Sequence, residues 1–177
     1  MKIHIGCGGH LLKNWVNIDR TKKSDVQWDV IRHPCPFEDN SASFIFSEHV
    51  WEHFSRENGF KATKICHKML KSGGVLRVAV PGLKAALELY NSGNWTERDW
   101  IKQLDFPVKT GAVYLNGVFR EWGHQFIYDE ETLTALMKAA GFHKVYLVEH
   151  RKSNFPELSG LERRGPEFSN LIVEGVK

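Results

Sequence analysis

Lys2-Ile3-His4-Ile5-Gly6-Cys7-Gly8-Gly9-His10 opens the chain and decides how the rest is read. A largely apolar, alternating run enters a glycine turn. A second short run, Trp15-Val16-Asn17-Ile18, ends on Asp19. In open α/β sheets, ligands sit at the carboxyl ends of strands, where the strand order reverses. Glycine lets the backbone approach a ligand that a Cβ would hold off. A carboxylate at the tip of the next strand can hold the two hydroxyls of a ribose. The opening therefore reads as a nucleoside site. The dinucleotide pattern G-x-G-x-x-G is absent, and its acid would follow about 20 residues on, whereas Asp19 comes sooner. Only a stub of helix fits between the two runs. The expected ligand is a nucleoside without a phosphate chain seated on a full helix N-terminus.

The bulk properties are those of one ordinary domain. The chain has 177 residues, 42% hydrophobic and 25% charged, with net charge +3. That length can bury a real core. The charge excess is mild and no Lys/Arg block stands out, so nucleic acid is not indicated as a partner. Three widely spaced cysteines, Cys7, Cys35 and Cys66, contain no C-x-x-C, which argues against a disulfide framework or a cysteine zinc site. No apolar run is long enough to span a bilayer and no signal peptide is read, so the expectation is a cytoplasmic protein. Oligomeric state is not legible.

A short third strand is expected around residues 26–30, ending near Asp29. Ser43-Phe44-Ile45-Phe46-Ser47 suits a strand buried on both faces of a parallel sheet. Glu48-His49-Val50-Trp51-Glu52-His53 follows at its carboxyl edge, where ligands gather. A helix over about 56–71 stops at Gly73-Gly74, and residues 75–80 form a further strand. Another helix covers 83–90. Residues 95–128 read as an irregular, aromatic-rich excursion, with Trp95, Trp100, Phe106, Tyr114, Phe119, Trp122, Phe126 and Tyr128. Long excursions are usually lids or extra packing, and this one is read as an acceptor-side insertion within a single domain. Asp129-Glu130-Glu131-Thr132 begins a last helix, which ends at Gly141. Strands over 142–149 and 169–174 form a hairpin across a long loop, residues 151–168.

The ordered segments Ile3-His4-Ile5-Gly6-Cys7-Gly8-Gly9, Val16-Asn17-Ile18-Asp19, Pro36-Phe37-Glu38-Asp39-Asn40-Ser41, Ser47-Glu48-His49-Val50-Trp51-Glu52-His53 and Met69-Leu70-Lys71-Ser72-Gly73-Gly74-Val75-Leu76, with Gly123-His124 and Leu171-Ile172-Val173-Glu174, together resemble the class I S-adenosylmethionine-dependent methyltransferases. The resemblance is to a compact branch with a shortened first helix, and it covers nearly the whole chain. It implies a Rossmann-like α/β fold: an open twisted, mostly parallel sheet with helices on both faces and an antiparallel C-terminal strand. It implies S-adenosylmethionine as cofactor. Gly6, Cys7, Gly8 and Gly9 would meet the methionine part, Asp19 the ribose and Asp29 the adenine amine, with Ser47, Glu48 and His49 lining the donor crevice. The branch is associated with polysaccharide or surface-sugar modification. Many relatives carry an acid where His4 stands.

Methyl transfer from a sulfonium gains little from stabilising new charge, so positioning dominates. A hydroxyl acceptor, in a small molecule or a sugar, needs a base for its proton. His124 is the first choice because it lies on the acceptor-side stretch; His49, His53 and Glu48 are the others. Two readings compete. One is a non-catalytic binding or scaffold module on the same fold. The other is a zinc hydrolase on the H-x-x-E-H run, with His49 and His53 as ligands and Glu52 polarising a water. In the leading reading no metal is assigned.

Overall fold

The computed structural model describes residues 1–98, 101 and 110–177. Seven strands form one sheet in the order β3-β2-β1-β4-β5-β7-β6. They are β1 (Lys2–Ile5), β2 (Val16–Asp19), β3 (Val26–Gln27), β4 (Ala42–Glu48), β5 (Leu70–Val80), β6 (Lys144–Leu147) and β7 (Leu171–Val176). β1 to β5 run parallel, whereas β7 is antiparallel to both β5 and β6. The order runs outward from β1 through β2 to β3, then restarts at β4 on the other side of β1. That reversal creates a crevice between the carboxyl ends of β1 and β4.

Four helices of eight or more residues accompany the sheet among the described residues. They are α1 (Arg56–Met69), α2 (Leu83–Ser92), α3 (Gly111–Arg120) and α4 (Glu130–Ala140). No helix separates β1 from β2, in keeping with the short spacing between Gly6 and Asp19. The helix expected to run to Gly73-Gly74 ends instead at Met69, where Leu70 turns extended into β5, and both glycines lie within that strand, whereas the end signals of α4 hold. Ser55 caps α1 by accepting from the Asn58 amide. Asp129 caps α4 by accepting from the Thr132 amide, and Gly141 ends it at φ +113°.

The main core lies between one face of the sheet and α1 with α4. Ile3, Ile5, Ile45, Leu76 and Val78 meet Ala62, Cys66, Leu133 and Met137 there. On the opposite face Trp15, Phe46, Val75 and Val176 are covered by Leu158, with Phe155 and Leu161 packed alongside. The long β6–β7 loop therefore packs against the sheet as part of the core. It is anchored by Arg77, a fully buried residue of β5. Its Nε donates to Glu162 Oε1 at 2.6 Å, and its Nη1 donates to Glu174 Oε1 at 2.6 Å and to the Lys152 carbonyl at 2.9 Å. Removing one partner of such a buried ion pair strands the others without compensation.

The described part of the 95–128 excursion is more regular than expected. It contains the ten-residue helix α3, capped by Thr110. Tyr114 and Val118 pack with Ala86 and Ile101, and Leu89 and Trp95 border them, so the excursion builds a small core of its own. Trp100 and Phe106 lie outside the described residues.

Candidate functional site

β1 ends in the glycine turn because Gly6 takes φ +75°. A Cβ there would come within 2.1 Å of Val50 Cγ2. The amides of Gly6 and Cys7 both donate to the Ile18 carbonyl, at 2.8 and 3.0 Å, which closes the turn onto β2. The Gly8 amide donates to Asp19 Oδ2 at 2.9 Å, and the Thr21 amide to Asp19 Oδ1 at 2.9 Å. Each Asp19 oxygen keeps acceptor capacity, since a carboxylate offers about four lone-pair sites. The turn is thus folded by its own amides. Gly8 and Gly9 have nothing within 4 Å of an added Cβ, so their edges face open space.

Two cavities meet at this edge of the sheet. One, about 350 Å³, is lined by Ile18, Asp19, Trp28, Asp29, Val30 and Ile31, among others. The second, about 950 Å³, is lined by Gly8, Gly9, Glu48, Tyr114, His124 and Arg164, among others. Gly6, His49, His53 and Trp122 line both and mark the junction. Asp29 Oδ1 accepts from the amides of Ile31 and Arg32, at 3.0 and 3.1 Å, so the acid also shapes the turn on which it sits.

His4 is buried against Phe46, with ring centroids 5.2 Å apart, and its Nδ1 lies 3.3 Å from Asn17 Oδ1. Burial lowers its pKa to about 4, so it is neutral at physiological pH. Burial, reinforced by the Asp19 charge, pushes the Cys7 thiol up to about 11, which leaves it inert as a nucleophile.

The residues after β4 divide their roles. Ser47 is fully buried and lines neither cavity; its hydroxyl donates to the Ile5 carbonyl at 3.0 Å and ties β4 to β1. The Glu48 carboxylate accepts from the amides of Arg163 and Arg164 and from Ser169 Oγ, at 3.1, 3.0 and 2.7 Å. It borders the large cavity but is engaged in holding the β6–β7 loop. His49 takes φ +55°, rare for a side chain with a Cβ. Its Nδ1 lies 2.9 Å from Oε1 of the fully buried Glu52.

The zinc arrangement expected from H-x-x-E-H does not form. Trp51–His53 is a single 3-10 turn, so His49 and His53 do not share a helical face. The chain instead brings His124 to His53, with ring centroids 5.0 Å apart. Backbone bonds fix this meeting: Gln125 and Phe126 donate to the Glu52 carbonyl, and Gln125 Nε2 donates to the His53 carbonyl. His124 Nδ1 is 2.7 Å from the Val118 carbonyl. That bond requires the proton on Nδ1 and leaves Nε2 with its lone pair. Burial holds the His124 pKa below the usual histidine value.

A smaller cavity lined by two acids thus opens, at the topological switch of the sheet, into a larger one. Residues 10–78 match the family model described as a methyltransferase domain. No curated protein matches the chain. Among solved structures, a SAM-dependent methyltransferase of Thermotoga maritima aligns with TM-score 0.63 at 17% identity, over 99% of this chain and 81% of that one. Another, from Archaeoglobus fulgidus, aligns with TM-score 0.59 at 17% identity, over 99% and 85%. The YcgJ protein of Bacillus subtilis aligns with TM-score 0.53 at 13% identity, over 99% and 91%. Residues 10–78 are thus similar to a methyltransferase domain, and the fold of the whole chain is that of the S-adenosylmethionine-dependent methyltransferases. S-adenosylmethionine is the cofactor of that class. No helix among the described residues is long and apolar enough to cross a membrane.

Proposed function

We propose that this protein methylates a hydroxyl of a small molecule or sugar, using S-adenosylmethionine. The observation that carries the reading is the junction of the two cavities at Gly6, His49, His53 and Trp122. One cavity is lined by Asp19 and Asp29, which would hold the ribose and the adenine amine. The other has a volume within the range of small-molecule sites, roughly 300–1,000 Å³. The residues present fit the cofactor: open space beside Gly8 and Gly9, and spare acceptor capacity on Asp19.

When bound, S-adenosylmethionine supplies an electrophilic methyl group. Gly8 and Gly9 would lie along its methionine part, while Asp19 and Asp29 hold the nucleoside. His49 would border the donor at the junction. His124 is the residue assigned to the acceptor: its neutral imidazole, with the proton fixed on Nδ1, has Nε2 available for the hydroxyl proton. Trp122, whose ring centroid is 5.6 Å from that of His124, adds an apolar wall.

The test is turnover of a panel of sugar, phenol and small-acid acceptors, read as release of S-adenosylhomocysteine. Turnover should be found with a hydroxyl acceptor. His124→Gln should lower kcat by roughly 10²–10⁴-fold, as loss of a general base does, with little change in S-adenosylhomocysteine affinity. Strong cofactor binding without turnover on any acceptor would favour the scaffold reading instead.

A further inference from the structure

The carboxylate of Glu52 is fully buried, yet neither of its oxygens has an aligned hydrogen bond among the described residues. His49 Nδ1 approaches Oε1 to 2.9 Å but without hydrogen-bond alignment. An uncompensated buried carboxylate costs several kcal/mol, so such groups are normally paired or coordinate a metal. Beside it stand the two imidazoles of His53 and His124. One ligand atom from each of Glu52, His53 and His124 lies within 4.8 Å of the others.

We propose that Glu52, His53 and His124 form a binding site for a divalent transition-metal ion of the zinc class. Two histidines and one carboxylate, with a position left for a further ligand, make a catalytic-type zinc donor set. The bond from His124 to the Val118 carbonyl is the kind of outer contact that orients a ligating imidazole and fixes its tautomer. The stitching of residues 125–126 to Glu52 and His53 sets the three donors before any ion arrives. The site differs from the H-x-x-E-H arrangement, because Glu52 is a ligand and the second histidine comes from the acceptor-side segment. His53 and His124 line the large cavity, so an ion there would be open to an acceptor oxygen and would lower its pKa. His124 would then act by ligation. Only this use rests on the proposed function; the ion site rests on the donor geometry.

Chelator-stripped full-length protein is titrated with Zn²⁺ against a chromophoric chelator, and with Co²⁺ by visible absorption. One equivalent of Zn²⁺ should bind, and Co²⁺ should show the bands of a low-coordinate nitrogen–oxygen site. His53→Ala and His124→Ala should each weaken Zn²⁺ by more than roughly tenfold, at least what loss of a supporting contact costs. Glu52→Gln should do the same; if it fails to fold by circular dichroism, the two histidine variants decide. No binding by the wild type, or equal affinity in the histidine variants, overturns the site. S-adenosylhomocysteine is titrated into the same samples. Its failure to bind would sink the proposed function without touching the metal result, and the reverse holds equally.

Discussion

Ser169 Oγ donates to Glu48 Oε1 at 2.7 Å, across 121 residues of sequence. Together with the amides of Arg163 and Arg164, it engages a carboxylate that stands at the tip of β4 beside the large cavity. The acid thus sets the position of the β6–β7 loop over the crevice. Glu48→Ala should raise hydrogen exchange at the Arg163 and Arg164 amides by roughly tenfold or more, the loss of a charge-assisted bond. It should leave protection in β4 and β5 unchanged. Unaltered exchange at those two amides would show that the loop is held elsewhere.

Gly6 and Gly8 both have positive φ, but their surroundings differ. A methyl group on Gly6 meets Val50 Cγ2, whereas one on Gly8 meets nothing. Gly6→Ala should therefore destabilise the fold beyond the roughly 1–2 kcal/mol of the left-handed backbone alone. Shortening Val50 to Ala should relieve part of that cost, giving a coupling of about 0.5–3 kcal/mol in a double-mutant cycle. Gly8→Ala should cost only the backbone term, with the main loss in cofactor affinity. Additivity at Gly6 and Val50 in denaturant unfolding would contradict the packing argument.

Stability should fall as the pH drops below the ordinary histidine range. His4 takes up its proton near pH 4 in the folded protein, and near 6.5 once unfolding releases it from burial. Between those values the unfolded chain binds more protons, so stability is complete above the unfolded pKa and declines toward the folded one. Burial shifts His67 and His124 in the same direction. The His4 share is about 2 kcal/mol between pH ~7 and pH ~5. In urea unfolding, His4→Gln should show a correspondingly smaller loss over that interval. An equal loss in the variant would refute the assignment to His4.

Much of the fold could be read locally. The glycine turn, the acid after β2, the apolar run of β4, and the Asp129 and Gly141 signals each express their own backbone chemistry within a few residues. Helix α3 is hard to read locally because Gly117 and Asn116 weaken its propensity, although Tyr114, Gly117 and Val118 carry the helical spacing. The long-range polar contacts were not legible. Arg77 interrupts the apolar run of β5 and Glu174 that of β7, a hint of pairing, but Glu162 lies in a loop with no periodicity to place it. Glu48 and Ser47 looked like ligand contacts from their position at a strand end, which does not say what else competes for their oxygens. For the site, Glu52, His53 and His124 were each conspicuous. What joins them is the bonding of residues 125–126 to the Glu52 carbonyl, a tertiary event that no local pattern encodes.

In the proposed function, the Asp19–Asp29 cavity holds the adenosine of S-adenosylmethionine. Calorimetric titration with S-adenosylhomocysteine, on wild type and on Asp19→Ala, tests it directly. One site per chain is expected in the wild type and affinity weakened by more than roughly tenfold in the variant, as loss of charge-assisted bonds to the ribose requires. No heat at ~1 mM ligand, where a Kd of that size still corresponds to about −4 kcal/mol, or unchanged affinity in Asp19→Ala, would contradict it.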